Sequence, residues 1–195
     1  MKIRKEFRVE SAHIVRNCSS ERCSHSIHGH SVVIELFFEA SRLDNAQMVY
    51  DFGLMKGSIK SFIDSMDHSY LLCKNDSKEF KAAIKDHCDR WVELPFNPSA
   101  EMLSLWILNE VRRIILFTQT NNGESSDMTC TGVRYHETTT GWAESSVKDL
   151  RTIWKPEYDD VRFSYGVMRD WNDELNEVFI ANLVENPIVE QQIKL

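Results

Sequence analysis

The residues able to do chemistry are concentrated between positions 11 and 30. Ser11-Ala-His13 is followed ten residues later by Cys23-Ser-His-Ser-Ile-His28-Gly-His30. Three imidazoles with a thiol close by are the makings of a zinc site in which nitrogen ligands hold the ion and one coordination position stays open. A second arrangement of the same residues is a closed structural site made of Cys18, Cys23, His28 and His30. The two differ in whether His13 is a ligand and whether Cys23 is free.

Side-chain parity bears on that choice. In Ile3-Arg-Lys-Glu-Phe7-Arg-Val9 the apolar residues fall mainly on odd positions, and the parity continues to His13. In Val32-Val-Ile34-Glu-Leu36-Phe-Phe38 they are mostly even, and the parity runs back through His30 to His28. If both segments are strands, alternate side chains share a face. All three histidines then extend the buried faces of a strand pair. His28 and His30 would sit roughly 6.5–7 Å apart along the strand, a spacing from which two rings can converge on one ion.

The frame that must position them reads as α+β. Residues 2–10 and 31–40 are expected strands, and Leu43-Asp44-Asn45 is a turn. A helix over about 52–65 carries Met55, Ile59, Phe62 and Ile63 at helical spacing, with Asp51 at its N-cap position. A weaker helix is expected near 77–89. A stronger one opens at Asn97-Pro98-Ser99-Ala-Glu101 and runs to about 116, with Asn97 or Ser99 as cap and Glu101 complementing the dipole. After a polar loop over 118–127, residues 128–137 and 141–146 form a closing hairpin. This order implies an antiparallel four-stranded sheet with two main helices on one face. Residues 147–195 are a separate acidic block, with six Lys/Arg against ten Asp/Glu and several aromatics. They read as a docked C-terminal appendage with a helix around 170–184, giving a division into 1–146 and 147–195.

Composition narrows the function classes. The chain has 195 residues, 42% hydrophobic, with a net charge of −7. That balance argues against a general nucleic-acid binder, which carries a basic surface. No run approaches the ~20 apolar residues of a membrane span. The alternating start Met1-Lys-Ile-Arg-Lys-Glu-Phe7 is unlike the apolar core of a signal peptide. Five scattered cysteines fit a reducing cytoplasm better than a disulfide framework. Cys73, Cys88 and Cys130 read as small packed side chains without chemistry.

Six short motifs in order carry a resemblance: Ser11-Ala-His13; Cys23 with His28-Gly-His30; Met48-Val-Tyr-Asp51-Phe with Leu54-Met-Lys56; Met66-Asp67-His68 with Tyr70-Leu71; Asn97-Pro98-Ser99-Ala-Glu101; and Val133-Arg-Tyr-His-Glu137-Thr. Over about residues 1–146 the chain resembles the 6-pyruvoyltetrahydropterin synthase / 6-carboxytetrahydropterin synthase family. The resemblance implies a tunnelling fold assembled into trimers or hexamers with active sites at subunit interfaces. It implies Zn²⁺ on His13, His28 and His30, Cys23 as catalytic base, and Asp67 with His68 as proton-transfer partners. Glu137 would anchor the pterin. The implied reaction converts 7,8-dihydroneopterin triphosphate to 6-carboxy-5,6,7,8-tetrahydropterin, releasing acetaldehyde and triphosphate, as in queuosine-type 7-deazaguanine synthesis. The 6-pyruvoyl product is the alternative. No nicotinamide or flavin is implied, and the chain has no glycine-rich dinucleotide motif. Two departures stand out: the Cys23-to-His28 interval of five, where four or six is common in the family, and Cys18 as a second nearby thiol. Arg16, Arg22 and His25 read equally as triphosphate contacts or as a solvated face.

Overall fold

The computed structural model describes residues 1–118 and 127–184. The elements are β1 (Lys2–His13), α1 (Glu21–His25), β2 (His28–Glu39), α2 (Ser58–Asp64), β3 (Ser69–Cys73), α3 (Lys78–His87), β4 (Trp91–Leu94), α4 (Ala100–Phe117), β5 (Thr129–His136), β6 (Trp142–Ser146), α5 (Val147–Ile153), β7 (Arg162–Phe163), α6 (Tyr165–Met168) and α7 (Asp173–Val184). The strands form one seven-stranded sheet in the order β6-β5-β2-β1-β3-β4-β7.

The four expected strands are present as the antiparallel block β6-β5-β2-β1. The four-stranded antiparallel description is nevertheless corrected. β3 pairs parallel with β1, β4 parallel with β3, and β7 antiparallel with β4, so the sheet is mixed. All five residues of β3 are buried. Parallel strands covered on both faces lose the alternation that marks a half-exposed strand. The covering elements also lie on two faces. Leu71 joins the main core with residues of α2 and α4, whereas Tyr70 and Leu72 pack with Ile84 and Phe80 of α3.

Parity holds along the long ladder. Val9, Val32, Ile34, Leu36 and Phe38 are buried together with Phe62 of α2 and Trp106, Ile107 and Val111 of α4. Ser99 caps α4 by accepting from the Met102 amide, leaving Asn97 for another task. The expected helix over 52–65 is broken into a 3₁₀ turn (Leu54–Lys56) and α2. Asp51 does not cap α2; it accepts from the Gly53 amide and closes a turn ahead of it. The β5–β6 turn forms as expected, Thr138 Oγ1 accepting from the Gly141 amide at 2.9 Å. Most of the polar loop expected over 118–127 lies outside the described residues.

The segment after β6 docks on this core. Val167, Trp171, Leu175 and Val178 belong to the same apolar cluster as the sheet, and Phe179 packs on Phe62 and Trp171. Under it lies Glu110 of α4, 2% exposed, with Arg113 Nη2 at 3.0 Å. Burial pushes the Glu110 carboxyl up to about 7, beyond what Arg113 can offset. A carboxyl raised in the folded state destabilises that state once it must ionise, so the penalty is absent below about pH 4.5 and complete above about pH 7. Glu110→Gln is therefore expected to raise stability by about 1–3 kcal/mol at pH 8 and by little at pH 4.5. Denaturant titrations at the two pH values check this.

Candidate metal centre and active site

The antiparallel register sets His13 directly opposite His28, and Ser11 opposite His30. The rings converge as parity requires, with centroids 4.7 Å (His13–His28), 5.2 Å (His13–His30) and 5.1 Å (His28–His30) apart. One ligand nitrogen from each lies within 4.8 Å of the others. Among the described residues this is the group able to hold an ion, and neither Cys18 nor Cys23 belongs to it. The closed two-cysteine arrangement is thus not the one formed.

The donor atoms fit a cation. His13 and His30 each bury Nε2 without a hydrogen-bond partner, an arrangement costing about 1–3 kcal/mol per atom unless something binds there. His28 turns Nδ1 to the Ser26 carbonyl at 2.9 Å, the outer contact that orients a ligating imidazole and leaves Nε2 for the metal. His13 is 3% exposed. Burial first, then the two neighbouring imidazoles, lower its pKa to about 4, against a hydrogen bond to the Pro98 backbone. It is therefore a neutral donor at pH 7. Its approach to Glu137 Oε1 at 3.5 Å is accordingly not an ion pair.

Glu137 follows β5 and brings its carboxylate to the cluster, 3.9 Å from His30 Nε2 as well. Tyr135, two residues earlier and on the same face, is buried and hydrogen-bonds Ser11. Cys23 lies on α1, half-buried. Its carbonyl accepts from the Val15 amide at 2.9 Å, which holds α1 beside the end of β1. Cys18 donates its thiol to the Ser20 carbonyl.

Asp67 and His68 form a hydrogen-bonded pair, His68 Nδ1 to Asp67 Oδ2 at 2.9 Å. The other Asp67 oxygen accepts from the Glu10 amide at 2.8 Å, and the His68 amide donates to the Glu10 carbonyl at 2.6 Å. His68 sits in the left-handed region, φ 52°, which histidine tolerates better than most side chains. Its ring is 75% exposed and borders an open groove of about 630 Å³. Its strand lining comprises Glu10, Ala12, Gly29 and Ser31, which alternate with the imidazoles, together with Ser11 and His30. The dyad thus opens mainly onto the ladder face opposite the imidazoles. One chain brings His13, His28, His30 and Glu137 together, and neither Asp67 nor His68 belongs to that group.

Three supports were not legible as such in the sequence. Asn97, expected as a possible cap, instead clamps the chain after His13: its Oδ1 accepts from the Arg16 amide at 2.9 Å and its Nδ2 donates to the Arg16 carbonyl at 2.6 Å. Pro98 meets His13 through its backbone. The Arg16 guanidinium is occupied by Asp76 at 2.6 Å and by the Ser24 carbonyl, so it is a fold contact. His25 turns to Ser24 Oγ.

Three converging imidazoles, two of them with buried unpartnered Nε2 atoms, beside a carboxylate on an α+β frame make a site that could hold a metal ion. A family model described as 6-pyruvoyl tetrahydropterin synthase matches residues 2–147, and the chain belongs to that family. It is 41% identical over 177 residues to a 6-carboxy-5,6,7,8-tetrahydropterin synthase of Helicobacter pylori, covering 89% of this chain and 88% of that protein. That share exceeds what residues 2–147 can supply, so the likeness runs into the C-terminal segment. A 6-carboxy-5,6,7,8-tetrahydropterin synthase of Rickettsia bellii is 39% identical over 87 residues, 44% of this chain and 62% of that one. Among solved structures, an uncharacterized protein from Wolinella succinogenes superposes with a TM-score of 0.60 at 21% identity, over 75% of this chain and 98% of that one. A 6-pyruvoyltetrahydropterin synthase from Plasmodium vivax gives 0.55 at 18% identity, over 74% and 96%. These two likenesses bear on the fold alone. No helix among the described residues is long and apolar enough to cross a membrane.

Proposed function

We propose that the chain is a zinc-dependent lyase that converts 7,8-dihydroneopterin triphosphate to 6-carboxy-5,6,7,8-tetrahydropterin, with release of acetaldehyde and triphosphate, in 7-deazaguanine (queuosine) synthesis. The observation that carries this reading is the cluster of three imidazoles in which the orphaned Nε2 atoms of His13 and His30 face Glu137, in a chain so similar to proteins of that name. His13, His28 and His30 would hold Zn²⁺, which when bound supplies Lewis acidity toward the side-chain hydroxyls of the substrate.

The other roles belong to the protein. Glu137 can accept two hydrogen bonds from the pterin amino group and ring N–H, fixing the ring beside the imidazoles. Cys23, as thiolate, takes a proton from the substrate side chain. His68 returns a proton elsewhere, its tautomer set by Asp67 on Nδ1. Internal proton transfer oxidises the side chain as the ring is reduced, and one water supplies the third oxygen shared between the carboxyl group and acetaldehyde, so no external redox cofactor is needed.

Because the dyad stands outside the imidazole group and opens onto a groove lined largely by the alternate strand residues, we infer that a working site takes Cys23, Glu137 and the imidazoles from one chain and Asp67 with His68 from a neighbour. This calls for a homo-oligomer, a trimer or a pair of trimers, with sites at the interfaces. No nucleic acid or membrane is required, and the reading places the enzyme in the cytoplasm. The test is an assay of zinc-loaded protein with 7,8-dihydroneopterin triphosphate. Stoichiometric acetaldehyde and triphosphate are expected. Triphosphate without acetaldehyde would replace this reading with the 6-pyruvoyl product, and release of neither would refute it.

A further inference from the structure

Arg90 precedes β4 and is 18% exposed. Its guanidinium spends its donors on two parts of the chain at once. Nε donates to the Asp67 carbonyl at 2.9 Å and Nη2 to the Asp64 carbonyl at 2.7 Å, both on the turn that presents the dyad. Nη1 donates to the Gly166 carbonyl at 2.8 Å and to Asp170 Oδ2 at 2.5 Å, both in the C-terminal segment.

A second link runs parallel to it. Trp171 Nε1 donates to Ser65 Oγ at 2.8 Å, and the Ser65 carbonyl accepts from Ser69 Oγ at 2.7 Å. The segment is also fixed to β4, Ser164 exchanging bonds with the Trp91 backbone at 3.0 and 3.1 Å. Gly166 is needed for this approach, since a Cβ there would collide with the backbone and carboxylate of Asp89.

We propose that Arg90 is a positioning residue for the Asp67–His68 pair, and that residues 162–171 are a strap whose task is to hold Arg90 against the turn at 64–68. The physical need is clear. His68 is highly exposed and in a left-handed conformation, so its own packing does little to fix it, and such a backbone persists only where its surroundings over-determine it. A planar fork with several fixed donors locks two carbonyls of the turn in a way a single ammonium cannot. The C-terminal segment, which the site chemistry does not otherwise use, thereby acts on the dyad without touching substrate. The kinetic part of this proposal rests on the function proposed above; the clamp itself does not.

Two readouts test it. With zinc-loaded oligomer, Arg90→Ala is expected to lower kcat about 10–100-fold with metal content unchanged, the loss a misplacement of ~1 Å can cause. In a His68→Ala background the same change should cost less than about twofold, because the two act as one unit. Gly166→Ala, which levers the strap away without altering Arg90, should repeat the pattern and serves where Arg90→Ala folds poorly. An equal loss in both backgrounds would overturn the proposal, as would full kcat in Arg90→Ala. Hydrogen–deuterium exchange needs no activity: the His68 and Ser69 amides should exchange faster in Arg90→Ala, and unchanged protection would overturn the clamp. If wild-type protein releases no acetaldehyde while the exchange result holds, the function reading fails and the clamp stands.

Discussion

Cys23→Ala is expected to retain one zinc per chain while turnover falls about 10²–10⁴-fold, the usual loss when a general base is removed. His28→Ala should do the reverse, stripping the metal first and activity with it. The contrast follows from the geometry: the nitrogens able to hold an ion belong to His13, His28 and His30, and the thiol stands outside that group on α1. Metal analysis beside steady-state rates separates the two. Loss of zinc in Cys23→Ala would mean that sulfur is a ligand and that the base has been misassigned. Cys18→Ala is the matched control, since its thiol already donates to Ser20, and it should keep both metal and rate.

Mixing two nearly inactive proteins should restore activity. If each site draws Cys23 from one chain and His68 from the next, Cys23→Ala and His68→Ala homo-oligomers each keep only a small residual rate, about 1% of wild type or less. After unfolding and refolding together in equal amounts, random assembly leaves both groups intact in about a quarter of the sites. Recovery of about a quarter of the wild-type rate is therefore expected, against only the small residual rate when either variant is refolded alone. Persistent inactivity of the mixture would place both groups in one chain and contradict the two-faced ladder. The expected effect is large because its baseline is close to zero.

What could be read from the sequence was whatever depended on short-range period. The parity of Phe7, Val9 and His13 against His28, His30 and Val32 correctly placed three ring systems on one face, because a two-residue repeat survives any detail of the surroundings. The apolar stripes of α2 and α4 were legible for the same reason. β3 was not, since burial on two faces erases the repeat, and β4 was not, since it is four residues long with the buried Glu93 in its middle. Asn97 and Arg90 were opaque for another reason. Each works on backbone carbonyls or amides brought close by folding, and a lone polar residue ahead of a helix or strand gives no sign of its distant partner. Asp51 was assigned a cap that the 3₁₀ turn at Leu54–Lys56 makes unnecessary.

The register of β1 against β2 bears on how this chain can change length. Inserting or deleting a single residue within Gly29–Ser31 would rotate everything upstream by half a pleat, sending the His28 imidazole to the groove and a groove residue toward the remaining imidazoles. A gain or loss of residues between Cys23 and His28 has no such effect, because the slack is absorbed before the ladder begins. Length variation in this protein and its relatives should accordingly gather ahead of His28, and the spacing of His28 and His30 should resist it.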